Sequence, residues 1–418
     1  MKIKYVHTLI APFLAASIGA YAQGPERGRR ETGEKPHAQR VHTEHQFFGF
    51  RNPPTQFGDP LFGLTADQLA AFDAGKDEFQ KVETPESGLG PIFNNVSCVS
   101  CHSSGGIGGA SNITVTRFGR VINGLFDPLA ELGGSLLQQN AIDPDVQEFI
   151  PAEANVVAHR QTTPLFGLGL IEAISDRDIQ RNAMHPPIDG VQGRASIITD
   201  VVSGTQRVGR LGWKAQQASL LAFAGDAYLN EMGITSRYFP KENAPNGDAE
   251  RLAQADKYAD PEDQVDPVTG RSDIDAAADF MRYLAPPPQA RPTQSAAVGR
   301  WVFVQTGCAL CHTPIMFTGP NPVAALAWKP VQLYSDLLLH DMGSLADGIA
   351  QSDAGSGEMR TAPLWGLRVS GPYLHDGRAA SVDEAIRAHE GEGKNARDRY
   401  LRLTPALRQQ LLDFLNTI

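Results

Sequence analysis

All four cysteines of this chain fall in two copies of one five-residue pattern, Cys98-Val99-Ser100-Cys101-His102 and Cys308-Ala309-Leu310-Cys311-His312. Two thiols with two residues between them, followed at once by an imidazole, form the attachment signature of c-type haem. The thiols make thioethers to the porphyrin, and the histidine is held beneath the iron as its proximal ligand. A redox dithiol needs no histidine at the next position, and a zinc site would draw both pairs together. Here the pairs lie 210 residues apart and each keeps its histidine. The reading is two covalently bound haems on Cys98, Cys101, Cys308 and Cys311, with His102 and His312 on iron. Each haem needs its own apolar shell, and 418 residues are enough for two such domains.

Attachment of this kind is made outside the cytoplasm, and the N-terminus agrees. Lys2 and Lys4 precede an apolar run from Leu9 to Ala20, and Ala20-Tyr21-Ala22 is a small-x-small cleavage site. Residues 1–22 therefore read as a signal peptide cleaved near Ala22, and the mature chain as periplasmic. No segment reaches the roughly 18 apolar residues of a membrane span. Cleavage removes two lysines and no acids, so the formal charge moves from −10 to −12. Such a surface disfavours nucleic acid and anionic lipid as partners.

Residues 23–45 are charged and nearly free of apolar side chains, the composition of a flexible arm, and His37, His42 and His45 in it read as surface residues. Thr65-x-x-Gln68 has the form of a capping box ahead of a helix carrying Leu69, Phe72 and Phe79 on one face. Its counterpart before the second motif spans 294–305, with Val298, Trp301 and Val302 on one side. A further helix is expected over 274–284, followed by Ala285-Pro286-Pro287-Pro288, a stiff linker. Thr404-Pro405 opens a final helix with Leu407, Leu411, Phe414, Leu415 and Ile418 as its apolar stripe. With 41 glycines and 29 prolines, the rest is expected to be loop. The expected fold is mainly α: two cytochrome c-like domains with long loops, 46–290 and 291–418, the first enlarged by insertions.

Several longer strings carry a resemblance. They are Leu339-His340-Asp341-Met342-Gly343, Met359 to Leu367, Gly371-Pro372-Tyr373-Leu374-His375-Asp376-Gly377, Thr163 to Ile174, Gly212-Trp213-Lys214-Ala215, and Glu231-Met232-Gly233-Ile234-Thr235. In these the chain resembles the di-haem oxidoreductase family, proteins of peroxidase type also labelled thiol oxidoreductases. That family is grouped with bacterial di-haem cytochrome c peroxidases and MauG-type enzymes. The resemblance implies two haems, with electrons entering at the C-terminal haem and peroxide or high-valent iron chemistry at the N-terminal one. It also implies hydrogen peroxide or another small oxidant, and a redox donor protein or quinol-linked donor, as partners. A non-catalytic electron-transfer cytochrome is the alternative. Thiol chemistry is excluded if haem takes every cysteine.

Three further sites follow. Ser381-x-x-Glu384 predicts a helix on which Val382, Ala385, Ile386 and His389 share a buried face. His389 lies 14 residues after His375, where the resemblance places a distal ligand, so His389 is the candidate sixth ligand of the second haem iron. Met316, Met342 and Met359 read as core or loop, and His159 and His185 as structural or surface histidines. Glu231 follows Leu220, Ala224, Ala227 and Tyr228 on one apolar helix face. Desolvation there would raise its pKa, and the resemblance makes it the distal acid. Leu220 and Leu221 stand where the family's peroxidases carry a glutamine. The resemblance also implies Trp213 as conduit between the haems. It further implies a calcium ion near Ser370 and Pro372, with Gln161 and Thr162 in place of the family's asparagine.

Overall fold

Residues 56–418 are described in the structure, a computed structural model. The expected signal peptide and the charged arm lie outside them. Thr65 caps α1 (Ala66–Gln80) with a full capping box: its hydroxyl accepts from Gln68 N at 3.3 Å, and Gln68 Oε1 accepts from Thr65 N at 2.9 Å. The buried stripe is Phe72, Gly75 and Phe79, while Leu69 is 38% exposed. The first motif forms a single turn, α2 (Cys98–Cys101).

The next stretch is β structure. A nine-residue strand, β1 (Thr114–Ile122), pairs antiparallel with β2 (Leu125–Asp127), β3 (Leu136–Leu137) and β4 (Val156–Gln161). The register sets Arg117 opposite Ala158 and Thr116 opposite His159. A separate hairpin joins Ser196–Thr199 to Gln206–Gly209. With 34% helix and 16% strand, the expectation of a mainly α fold is wrong. The other strands are two to six residues long, and β1 meets β3 and β4 only across longer loops, so cap signals, which mark helix starts, do not reveal them. The signal for β1 was nonetheless present: Thr-Val-Thr-Arg-Phe-Gly-Arg-Val-Ile alternates around β-branched residues.

Ser219 caps α3 (Leu220–Met232), and α4 (Asp273–Tyr283) packs against both α1 and α3. Gly75 makes the α1–α4 crossing possible, since a Cβ there would lie 2.2 Å from the Ala276 carbonyl oxygen. The second half repeats this arrangement. α5 (Gln294–Gln305) leads into a 3₁₀ turn bearing the second motif. β5 (Leu339–Asp341) pairs with β6 (Glu358–Arg360), α6 (Val382–Arg387) follows, and α7 (Pro405–Leu415) closes the chain. α5 crosses α7 at Gly299, where a Cβ would stand 1.8 Å from Gln410 O.

The smaller core consists of residues between Ala296 and Ile418, among them Phe303, Tyr400, Leu411 and Phe414. The larger core runs from Leu61 to Trp365 and takes in Met316, Leu333 and Leu338. On α5, Val302 is buried but Trp301 is 59% exposed, so the expected stripe is only partly core. Nor does the proline run hang in solvent: Pro286 and Pro287 pack against Gly167 and Gly366. Among the described residues no helix is long and apolar enough to cross a membrane.

Candidate active site

Each cysteine motif opens onto a large cavity. The cavity beside α2 has about 1180 Å³ free of protein atoms, its mouth included, and the one beside the second motif about 1650 Å³. The four thiols are not in disulfides, and each pair lines its cavity together with the following histidine. His102 Nδ1 lies 3.1 Å from Gly109 O, and His312 Nδ1 lies 3.0 Å from Tyr334 O. A ring N–H tied to a carbonyl fixes the tautomer and leaves Nε2 with its lone pair as a ligand atom. Burial pushes both imidazoles down to about 4, so they are neutral, as metal binding requires.

The second cavity holds a second imidazole. Ser381 caps α6 by accepting from Glu384 N, and the helix ends at Arg387, so His389 sits just past it with its N–H on Ile386 O. Val382, Ala385, Ile386 and His389 all line the cavity. His389 Nδ1 lies 2.8 Å from Ala385 O, and its ring centroid is 6.4 Å from that of His312. Two imidazoles sharing one ion through nitrogens about 2 Å from it need this kind of separation. The cavity, the paired thiols and the opposed, pre-tied imidazoles therefore fit a six-coordinate haem. Met342 and Met359 also line this cavity, and Met316 lies in the larger core.

The first cavity is different. Among the described residues His102 is its sole histidine; His159 and His185 are exposed and do not line it. Along α3 the residues Ala224, Ala227, Tyr228 and Glu231 line it, joined by Asp226 and, from β1, by Arg117. Glu231 Oε2 accepts from Asn94 Nδ2 at 2.9 Å. Burial raises its carboxyl, against the opposing pull of Asn94 and Arg117. Burial also raises Asp226, and it lowers Arg117 to about 10.

A family model described as "Di-haem oxidoreductase, putative peroxidase" matches residues 141–418, more than half of the chain. This chain belongs to the di-haem oxidoreductase family. The match includes Trp213, Glu231, the second motif and His389, and begins after the first motif. Among solved structures this di-haem oxidoreductase is similar to hydrazine synthase of Kuenenia stuttgartiensis, at 14% identity over 92% of this chain and 100% of that one, TM-score 0.38. It is also similar to a MauG-like protein associated with microbial copper homeostasis, at 15% identity over 88% and 94%, TM-score 0.38. A third is the diheme peroxidase BthA of Burkholderia thailandensis, at 13% identity over 83% and 85%, TM-score 0.37. No curated protein matches.

In this di-haem oxidoreductase one wall separates the two cavities, and Gln161, Thr162 and Trp213 line both. Trp213 Nε1 donates to Gln161 O at 2.8 Å, and its ring lies 6.3 Å from the ring of His375. Ser370 and Pro372 line the second cavity close to Gln161, whose Oε1 is buried near Pro372 without a hydrogen-bond partner among the described residues. Behind the wall, Asp347 pairs with Arg160 at 2.7 Å and with Lys214 at 3.0 Å.

Sequence reasoning missed Asp226, Arg117, Arg160 and Arg360. Asp226 carried a signal, an ionisable residue inside the apolar run of α3. Arg117 carried a similar one in the alternation of β1. Arg160 and Arg360 carried none, because their burial depends on contacts across the chain. Arg360, lowered to about 10 by burial, donates to Gly212 O at 2.7 Å and lines the second cavity.

Proposed function

We propose that this di-haem oxidoreductase is an exported peroxidase: electrons enter at the C-terminal haem and hydrogen peroxide is reduced at the N-terminal one. Both haems are held covalently, through Cys98 and Cys101 with His102, and through Cys308 and Cys311 with His312, in two halves spanning 46–290 and 291–418. Export rests on the signal sequence over residues 1–22. The observation that carries the reading is the asymmetry of the two cavities. One opposes an imidazole with an imidazole, and the other brings together Glu231, Asp226 and Arg117.

When bound, haem supplies the electron relay and the iron at which the O–O bond of peroxide is cleaved. The protein's part is proton handling and charge. Reduction of H₂O₂ to two waters takes two electrons and two protons. Asn94 holds Glu231 Oε2, leaving Oε1 to take a proton from one peroxide oxygen and return it to the other. The raised pKa of this buried acid suits exchange in both directions. Arg117 offsets negative charge that develops in the cavity it lines. His312 and His389 would hold the second haem iron and keep substrate from it, and Trp213, which lines both cavities, would serve as conduit between the two sites. A calcium ion held by Gln161 Oε1 and the Ser370–Pro372 turn would stiffen that wall, with oxygen ligands suited to it.

Peroxide titration of the oxidised and half-reduced holoprotein, followed by paramagnetic resonance, tests the function. One centre should stay low-spin throughout while the other responds to peroxide. Glu231→Gln should slow peroxide turnover by about 10²- to 10⁴-fold, the range for loss of a positioned acid–base group, with both haems retained. Two low-spin centres that ignore peroxide in every redox state would sink the proposal.

A further inference from the structure

The loop between α3 and α4 gathers three carboxylates away from either haem cavity. Glu242, Asp260 and Glu262 each bring an oxygen to within 4.8 Å of the others. We propose that this cluster binds a hard divalent cation, calcium, independently of the peroxidase reading. Calcium takes oxygen ligands at about 2.3–2.6 Å, so two ligands of one ion lie at most about 5 Å apart. All three side chains meet that limit.

Glu242 points to an occupant. Both of its carboxylate oxygens are buried, each exposing less than 1 Å², and neither has a hydrogen-bond partner among the described residues. An ionised carboxylate removed from water and left unpartnered is a costly state. The groups facing it are Glu262, Asp260 and Asp256, with the Asn243 backbone, and Glu262 is met by Thr235 and Asp260. Among the described residues no lysine or arginine pairs with any of the three.

A second acidic cluster shows the contrast. Glu78, Glu83 and Asp273 also converge, but Lys81 Nζ sits among them at 3.5, 3.2 and 2.9 Å. That cluster carries its own cation; the Glu242 cluster does not. Asp260 is exposed while the other two are half-buried, which leaves an entry path and room for water ligands. The rival occupant is a proton, since burial and the neighbouring carboxylates push Glu242 up to about 9 when no cation is present.

The location ties the ion to the first cavity. Thr235 is fully buried; its N–H donates to Glu262 Oε2 at 2.9 Å, and its hydroxyl lies 2.9 Å from Asp260 Oδ1. Thr235 ends the string that begins at Glu231, so an ion here braces the segment carrying that acid.

The test uses mature holoprotein stripped with a chelator and titrated with calcium chloride, read by calorimetry, elemental analysis and thermal unfolding. Calcium should bind and raise the unfolding temperature. Glu242→Gln should lose one equivalent, or weaken it by more than the roughly 10- to 100-fold that loss of an outer-shell partner costs. Ser370→Ala should keep that equivalent. Because Glu242→Gln removes like-charge repulsion, its calcium-free form should unfold no earlier than the calcium-free parent. The proposal is overturned if the stripped parent takes up no calcium at millimolar concentration. It is equally overturned if Glu242→Gln binds as much calcium as the parent with equal affinity; Glu242 is then simply protonated.

Discussion

At the scale of single residues, the two imidazoles of the second cavity are set by the same device, an Nδ1–H held by a backbone carbonyl, on Tyr334 for His312 and on Ala385 for His389. The ligand role of His312 could be read from its motif, since Cys-x-x-Cys-His carries a candidate ligand in sequence. That of His389 rested on a helical face that is only partly helix: α6 stops at Arg387, and the turn after it delivers the ring to the cavity. Replacing His389 by alanine should convert one low-spin centre to high-spin in the paramagnetic resonance spectrum. His389→Met should restore low spin and raise that centre's potential, as methionine ligation does. An unchanged spectrum in the alanine variant removes His389 as a ligand.

At the scale of elements, the segment after α6 is latched by one carboxylate. Glu392 Oε2 accepts from Gln192 N at 2.8 Å and Gly193 N at 3.1 Å and lies 2.8 Å from His340 Nδ1, while His340 Nε2 is 2.9 Å from Asp336. Burial works against charge on both groups, yet these bonds hold Glu392 down to about 2 and His340 well above the usual histidine range. A carboxyl whose folded pKa is depressed stabilises the fold above its unfolded value of about 4.5 and loses that contribution as pH falls toward 2. Acid unfolding monitored between pH 5 and 2 should therefore steepen over this window. Glu392→Gln should flatten the steep part and cost roughly 1–3 kcal/mol at neutral pH, the worth of hydrogen bonds to a charged group. An identical acid profile in the variant would show that the latch contributes nothing. The helices flanking this region were legible, 294–305 from the spacing of its apolar residues and the final helix from its cap at Thr404, whereas β5 and β6 were not. Three-residue strands carry no period of their own, and pairing partners 17 to 21 residues away decide them.

At the scale of the whole molecule, the two cavities share one wall, and Trp213 is the aromatic residue that lines both. Trp213→Phe keeps an aromatic ring but removes the bond to Gln161 O. Reduction of the first centre through the second should then slow in stopped-flow experiments, with neither resting spectrum altered. Unchanged transfer would assign Trp213 to packing alone.

What the sequence carried by itself was local: two Cys-x-x-Cys-His motifs and the helix starts at Thr65, Ser381 and Thr404 are each decided within a few residues and need no distant partner. The tertiary structure alone decided the closure of β1 by β3 and β4, the buried Arg160–Asp347–Lys214 network, the meeting of Arg117 with Asp226 in one cavity, and the convergence of Glu242 with Asp260 and Glu262. Each of these depends on burial and charge proximity between residues far apart along the chain. Those quantities do not exist until the chain has closed on itself.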